Sequence, residues 1–402
     1  MNDAIDQGAL NACLAAYGLS ALRQSHPRLF AAAPVFVAAE EAEAIVRLVT
    51  AIETTVALPS YRDAVLARAP EIARRDPGYP AVCMGYDFHL TPTGPKLIEI
   101  NTNAGGLLLN ALLARSQGED GGEAELEALA MFRAVWGKQT PRRLAIVDDD
   151  PARQYLAPEF HLFRRLFAAA GIDARIAAPA ELTWDGQHLR HARGIVDVVY
   201  NRLTDFALAA SEHAALAAAY RENAVILTPH PYAHALYADK RNFCLLSDPE
   251  WLAQSGLAAG LRQTLLAGVP HTREVRPEDA ESVWQTRKRR FFKPASGFGG
   301  RAAYRGDKLT HRVFGEILQG RYVTQDFVAP ATRRFTPPGA DAAREWKFDL
   351  RAYAFQGHVQ FLAARLYQGQ ITNMRTPGGG FALVRKTKGR ELARAVIGTC
   401  SS

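Results

Sequence analysis

The apolar and polar positions fall into stretches of two different periods. Over residues 38–56 the apolar side chains Ile45, Leu48, Val49 and Ile52 recur at helical spacing. Glu40, Glu41 and Glu43 come early, where a helix N-terminus favours negative charge. Residues 60–75 read as a second helix, and the first eighty residues as helical support. A period of two follows. Tyr86, Phe88 and Leu90 alternate with Asp87 and His89, and Leu97, Glu99 and Asn101 alternate with Ile98 and Ile100. With Pro92-Thr93-Gly94 between them, these are the strands of a hairpin that brings Asp87 near Glu99 and Asn101. Residues 107–115 resume as a helix after Gly105-Gly106, and residues 117–127 read as an acidic, glycine-rich surface loop.

A new pattern begins at Pro141. Short apolar runs at 143–147, 174–177, 195–200 and 224–228 alternate with helical stretches, among them 159–170, which stops at Gly171. Strand, helix, strand with glycine stops is a parallel α/β unit, and the strand ends of such a sheet face a ligand cleft. Asp148, Asp149, Asn201 and Arg202 sit at those ends and are candidate substrate contacts; capping and loop polarity account for each of them singly about as well. The last third carries strands at 290–294, 322–328, 347–355 and 359–366, with glycine-rich loops at 295–301 and 372–381. The expected fold class is α/β, in three parts: residues 1–140, 141–235 and 236–402.

Composition narrows the class of function. The 402 residues are 48% hydrophobic and 22% charged, which is the make-up of a globular protein with a core. The net charge of +7 is spread along the chain and suits an enzyme that holds anionic substrates. The densest basic run, Arg287-Lys288-Arg289-Arg290, leads straight into an apolar strand, so nucleic acid is not an expected partner. Four dispersed cysteines, Cys13, Cys83, Cys244 and Cys400, offer neither a zinc site nor a disulfide framework. No basic start with an apolar run follows Met1, and no apolar stretch spans a bilayer. The expectation is a cytoplasmic protein with no membrane partner; a homodimer is left open.

Two constellations carry chemistry. Two carboxylates and an amide oxygen at the end of a hairpin form a hard-oxygen site of the kind that suits Mg²⁺; a solvated hairpin face is the plain alternative. Lys293, on a strand directly before the glycine-rich stretch Ala295-Ser296-Gly297-Phe298-Gly299-Gly300-Arg301, is a phosphate arrangement: backbone N–H groups approach the oxygens and the lysine adds a point charge. No Gly-Lys-Ser/Thr follows, so it is not a P-loop. About twenty-five residues on, the strand Tyr322-Val323-Thr324-Gln325-Asp326-Phe327-Val328 can offer backbone groups to an adenine edge.

In this order the elements resemble an ATP-grasp domain: Lys293-Pro294 with its glycine loop, the hinge Gln325-Asp326-Phe327-Val328, and Asp349-Leu350-Arg351. The family's metal hairpin, an acid and then Glu-x-Asn, does not follow Gly380 but stands early, as Asp87 and Glu99-Ile100-Asn101. That order resembles the circularly permuted ATP-grasp ligases, the eukaryotic-type glutathione synthetases first and the glutathionylspermidine synthetases more distantly. The resemblance covers residues 80–110 and 235–385. It implies a permuted α+β ATP-grasp with an inserted parallel α/β substrate domain, and an ADP-forming ligase that joins a carboxylate to an amine through an acyl phosphate. The cofactors implied are ATP and Mg²⁺, and the partners are small-molecule carboxylate and amine substrates. Asp87, Glu99 and Asn101 would hold the metal, since the loop 295–301 lacks the acid that glutathione synthetases carry there. Lys240, Lys293, Ser296, Gly297, Gly299 and Gly300 would hold the phosphates, Gln325, Asp326, Phe327 and Val328 would line the adenine site, and Asn373 would contact the nucleotide. Arg351 and Arg365 would stabilise developing charge. Asp349 either orients Arg351 or is a solvated strand residue. The rival functions are an ATP-grasp kinase and a nucleotide-binding regulator without turnover.

Overall fold

The computed structural model describes residues 4–389 apart from 120, 139, 298, 299, 301, 337–341, 370, 371 and 373–375. Two of the expected nucleotide contacts, Gly299 and Asn373, lie outside the described residues.

The sheet that positions the site is antiparallel and drawn from both ends of the sequence. Its order is Gly380–Ala382, His358–Tyr367, Arg344–Phe355, Met84–Thr91, Gly94–Asn101, with Ala331–Phe335 also pairing on Arg344–Phe355. Residues of the long strand alternate strictly. Phe348, Leu350, Ala352 and Ala354 join Tyr86, Phe88, Ala364 and Leu366 in one core, while Asp349 and Arg351 face the opposite side with Asp87 and Arg365. Helix Ala39–Val56 covers the apolar face with Ile45, Leu48, Val49 and Ile52, and Glu41 accepts the Ala38 N–H at its start (3.2 Å). Strand Val35–Ala38 pairs in parallel with Val384–Thr387. The early hairpin and the last strands thus share one sheet, as a permuted order demands.

A second antiparallel sheet has the order Thr272–Glu274, Tyr322–Asp326, Arg290–Pro294, Tyr304–Arg305. Helix His311–Gln319 packs on it through Phe314 and Ile317, which meet Phe292, and the Thr310 hydroxyl accepts the Val313 N–H at its N-terminus (3.4 Å). The middle of the chain forms a four-stranded parallel sheet in the order Ile226–Thr228, Val198–Asn201, Arg143–Val147, Asp173–Ala177. Both of its faces are covered, so its strands are apolar throughout. Leu144, Ile146, Val198 and Tyr200 meet Phe160, Phe163 and Phe167 of helix Ala157–Ala169; Ala145, Val147 and Val199 meet Leu216, Ala217 and Tyr220 of helix Ala214–Arg221.

Four local expectations are corrected. The surface loop expected over 117–127 is helical from Gly122 on, in helix Gly122–Trp136. The helix expected over 60–75 ends at Leu66 and gives way to a single 3₁₀ turn, Glu71–Ala73, because Pro70 cannot continue it. The strand expected over 195–200 is cut at Asp197, whose carboxylate accepts the Arg142 and Arg143 N–H groups (2.7 and 2.9 Å); Gly194–Ile195 joins a small three-stranded meander instead. Val35–Ala38 is a strand within a region expected to be helical. Among the described residues no helix is long and apolar enough to cross a membrane.

Candidate active site

A cleft of ≈ 460 Å³ lies between the two antiparallel sheets. The hairpin places Asp87 and His89 on its wall by simple alternation, but the second strand reaches it through a bulge. Asp87 pairs with Glu99 and Phe88 with Leu97, which leaves Ile98 as an extra residue. Leu97 therefore points into the core with Ile100, not along the face of Glu99 as uninterrupted alternation required. Ile98, Glu99 and Asn101 all line the cleft.

Asp87 is buried and lies within a ladder of charges. Arg351 grips it with two hydrogen bonds, Nε to Oδ1 (2.6 Å) and Nη2 to Oδ2 (2.7 Å), and Arg365 Nη2 donates to Oδ2 (2.8 Å). Arg365 in turn donates to Asp349 through Nε (2.7 Å) and Nη2 (2.8 Å), and the Thr372 hydroxyl donates to Asp349 (2.6 Å). Asp349 is thus an orienter of Arg365 and not of Arg351. Two carboxylates and two guanidiniums make a neutral set, the arrangement that burial of such groups requires. Burial alone would push the Asp87 carboxyl up; Arg351 and then Arg365 outweigh it and hold the group well below the usual carboxylate range.

The fit to a divalent cation follows from which oxygens are left. Both oxygens of Asp87 are occupied by guanidinium N–H groups, and Asn101 Nδ2 donates to it as well (3.1 Å). Glu99 accepts the same amide (3.2 Å) and stands half-exposed in the cleft. Among the described residues no cluster of three His, Cys, Asp or Glu side chains could hold a metal by itself. A Glu99 carboxylate and the Asn101 amide oxygen fit Mg²⁺, which commonly binds through one or two carboxylates together with substrate phosphates and water. Asp87, expected as the third ligand, has both oxygens engaged by the two arginines.

The opposite wall supplies positive charge. Lys293 is buried on Arg290–Pro294; its Nζ donates to the Ile98 carbonyl (2.7 Å), which the bulge turns toward it, and to Gln325 Oε1 (2.8 Å). Gln325 donates onward to Thr272 Oγ1 (3.2 Å), so its side chain holds the lysine. Burial pushes Lys293 down to about 8, against the pull of Glu99, while Lys240 adds to the depression. Lys240 arrives from a different segment, just after the π-helical turn His234–Ala238, and is latched to the glycine loop twice. Its N–H donates to the Ala295 carbonyl (2.9 Å) and its Nζ to the Gly297 carbonyl (2.9 Å). Gly297 and Gly300 line the cleft, whereas Ser296 is exposed. At the far end, Arg305 stacks over Phe327 (4.7 Å), Asp326 pairs with Arg290, and Val328 completes the wall.

From Asn101 the backbone runs out of this cleft to the strand ends of the parallel sheet. Arg202 is buried there, with Nη1 donating to the Asn103 carbonyl (2.8 Å) and Nε buried without a partner. Asp148 ends the neighbouring strand, and burial pushes its carboxyl up to about 7, against the pull of Arg202. The other two residues expected here hold loops. Asn201 binds the Pro229 carbonyl (3.2 Å) and the Leu203 N–H (3.1 Å), and Asp149 binds His213 (3.1 Å), which Asp205 grips from its other nitrogen (2.8 Å). Sequence reasoning missed Glu159. Its carboxylate accepts the Gly106 and Leu108 N–H groups (2.7 and 3.0 Å) and so caps helix Leu107–Ser116, which fixes the exit of the Glu-x-Asn strand. Gly106 has φ 102°, and a Cβ there would lie 2.3 Å from the Phe381 ring.

No protein-family model matches the sequence, and no curated protein matches it. Solved structures do. A glutathione synthetase-like effector from Globodera pallida superimposes with a TM-score of 0.57 at 12% identity, over 95% of this chain and 97% of that one. A putative gamma-glutamylcysteine synthetase from Methylobacillus flagellatus gives a TM-score of 0.49 at 12% identity, over 83% and 85% of the two chains. With an early hairpin completing the sheet of the last strands around a lysine-lined cleft, this chain shares the fold of that glutathione synthetase-like effector.

Proposed function

We propose that this protein is an ATP-dependent ligase that joins a carboxylate to an amine, with release of ADP and phosphate. The observation that carries this reading is the convergence, in one cleft, of Lys240 and Lys293 from separate segments with Glu99, Asn101 and the Arg351–Arg365 pair. Lys240, Lys293 and the N–H groups of the glycine loop would hold the phosphates, and the hinge from Gln325 to Val328 would meet the adenine. Glu99 and Asn101 would hold Mg²⁺, which supplies charge neutralisation at the phosphates when bound. Phosphoryl transfer depends chiefly on positioning and on charge stabilisation, and Asp87 and Asp349 hold the arginine pair in place at the cleft before any ligand arrives. A substrate carboxylate attacking the γ-phosphate would give an acyl phosphate and ADP; an amine would then displace phosphate.

The substrate side carries opposite charges on adjacent strand ends. Arg202 suits a carboxylate, and Asp148 suits an ammonium group. We therefore propose an amino acid or a small peptide as substrate. The test is a screen of amino acids and short peptides, in pairs, for ADP and phosphate release. A pair that raises both together supports the ligase. ADP release with phosphate retained on the product would show a kinase, and tight ATP binding with no release for any pair would sink the enzymatic reading.

A further inference from the structure

His89 has no place in the ligase chemistry just described, yet it stands on the cleft wall between the Asp87 corner and the hinge. Its Nδ1 lies 2.9 Å from the Val328 carbonyl oxygen. A carbonyl can only accept, so Nδ1 carries the ring proton. Burial disfavours a second proton on this ring and outweighs the opposing pull of Asp349 and the Val328 carbonyl, with Lys293 and Arg365 adding to the depression. Nε2 is then left as a lone-pair acceptor. Among the described residues no protein donor meets it, and the ring lines the cleft.

Unlike the carboxylates of Asp87, Glu99 and Asp349 in the same cleft, Nε2 is a neutral acceptor. Lys240 and Lys293 present positive charge to the cleft, as a phosphate requires. Phosphate oxygens would not be drawn to Nε2. A neutral donor would be, and the hinge-side location narrows which one. Val328, the residue His89 grips, is in the same short segment as Phe327, whose ring carries Arg305 on one face. That end of the cleft suits a planar base and its sugar. The donors a nucleoside offers are ribose hydroxyls and, in adenine, the 6-amino group.

We propose that His89 is a specificity-determining residue for the nucleoside half of the nucleotide: Nε2 accepts one hydrogen bond from a ribose O–H or from the base amino group, while Nδ1–H fixes the ring to the hinge. This rests on the reading of the cleft as a nucleotide site, and the test separates the two claims. ADP, 2′-deoxy-ADP, 3′-deoxy-ADP and IDP are titrated into the protein by calorimetry. Wild type binds ADP, and the analogue that lacks the recognised donor binds about tenfold more weakly, the size of one hydrogen bond to a buried group. His89→Asn keeps an amide N–H where Nδ1 stood but has no acceptor at the Nε2 position. It loses about tenfold in ADP affinity, and the discrimination between ADP and that analogue disappears. His89→Gln places Oε1 near the Nε2 position and recovers part of the discrimination. A purely structural staple predicts otherwise: His89→Asn would keep the wild-type preference. That result, or equal binding of all four ligands by wild type, overturns the role of His89. Failure of wild type to bind ADP at all would overturn the nucleotide site itself.

Discussion

Asp87→Asn distinguishes an arginine anchor from a metal ligand. The substitution leaves shape almost unchanged but removes one negative charge from a buried set of two carboxylates and two guanidiniums. Arg351 and Arg365 then share the single charge of Asp349, and three hydrogen bonds of 2.6–2.8 Å lose their charged acceptor, those to the atom that becomes the amide nitrogen being lost outright. Breaking a buried ion pair from one side is destabilising by about 3–5 kcal/mol. For a folding unit of this size that is a fall of about 4–6 °C in melting midpoint. Trp346, fully buried on the strand that bears Asp349 and Arg351, is a local reporter for guanidinium-induced unfolding by fluorescence. Glu99→Gln is the contrasting variant. Glu99 is half-exposed and has no arginine partner within the ladder, so its midpoint should stay within about 0.5 kcal/mol of wild type while Mg²⁺-dependent ADP binding is lost. The double variant Asp87→Asn/Arg351→Met restores charge balance and should regain part of the lost stability, since an apolar replacement of a buried pair is often near neutral. If Asp87→Asn unfolds like wild type yet abolishes the Mg²⁺ dependence of ADP binding, Asp87 is a metal ligand and the anchoring argument is wrong.

Three further outcomes follow from the same geometry. Asp148, pushed up to about 7, gains its charge only above neutral pH; KM for the amine-bearing substrate should rise as pH falls below about 7, and Asp148→Asn should flatten that profile in steady-state kinetics. His213, buried between Asp149 and Asp205, is held above the usual histidine range because those hydrogen bonds outweigh its burial. Its folded form binds the proton more tightly, so its contribution to stability is complete below about 6.5 and declines as pH rises through the raised value; His213→Phe should remove that decline from melts taken between pH 6 and 9. Gly106→Ala puts a Cβ at φ 102° and 2.3 Å from the Phe381 ring, and should cost about 1–3 kcal/mol in strain, read as faster amide exchange across helix Leu107–Ser116.

How much of this was legible in the sequence depends on how local the cause is. Alternation in residues 86–90 placed Asp87 and His89 on the cleft face because a strand's period is set by its own backbone. Alternation in residues 97–101 failed at Leu97, because a bulge inserts Ile98 and resets the face, and nothing in Leu-Ile-Glu-Ile announces it. Arg351 and Arg365 are 264 and 278 residues from the carboxylate they grip. A sequence shows that a carboxylate sits on a hairpin; it does not show that two guanidiniums arrive from another strand pair to take both oxygens. Val35–Ala38 was hidden for a similar reason. Four buried residues, Val-Phe-Val-Ala, form a strand only because Val384–Thr387 supplies a partner about 350 residues away.

That dependence on distant partners bears on how the site is switched on during folding. The cleft draws Glu99 from the early hairpin, Lys240 from the segment after the parallel sheet, Lys293 from the second antiparallel sheet, and Arg351 and Arg365 from the late strands. None of these segments holds both Glu99 and the cations of the cleft. The early hairpin has its polar face satisfied only when the late strands bring Arg351 and Arg365, and those arginines are neutralised only by Asp87 and Asp349 together. A chain lacking the late strands would leave Asp87 as a carboxylate on an unpaired sheet edge, and a chain lacking the hairpin would leave one surplus cation in a buried ladder. Charge balance therefore ties the two ends of the sequence into one sheet, and the anchoring of Asp87 makes the cleft conditional on complete folding.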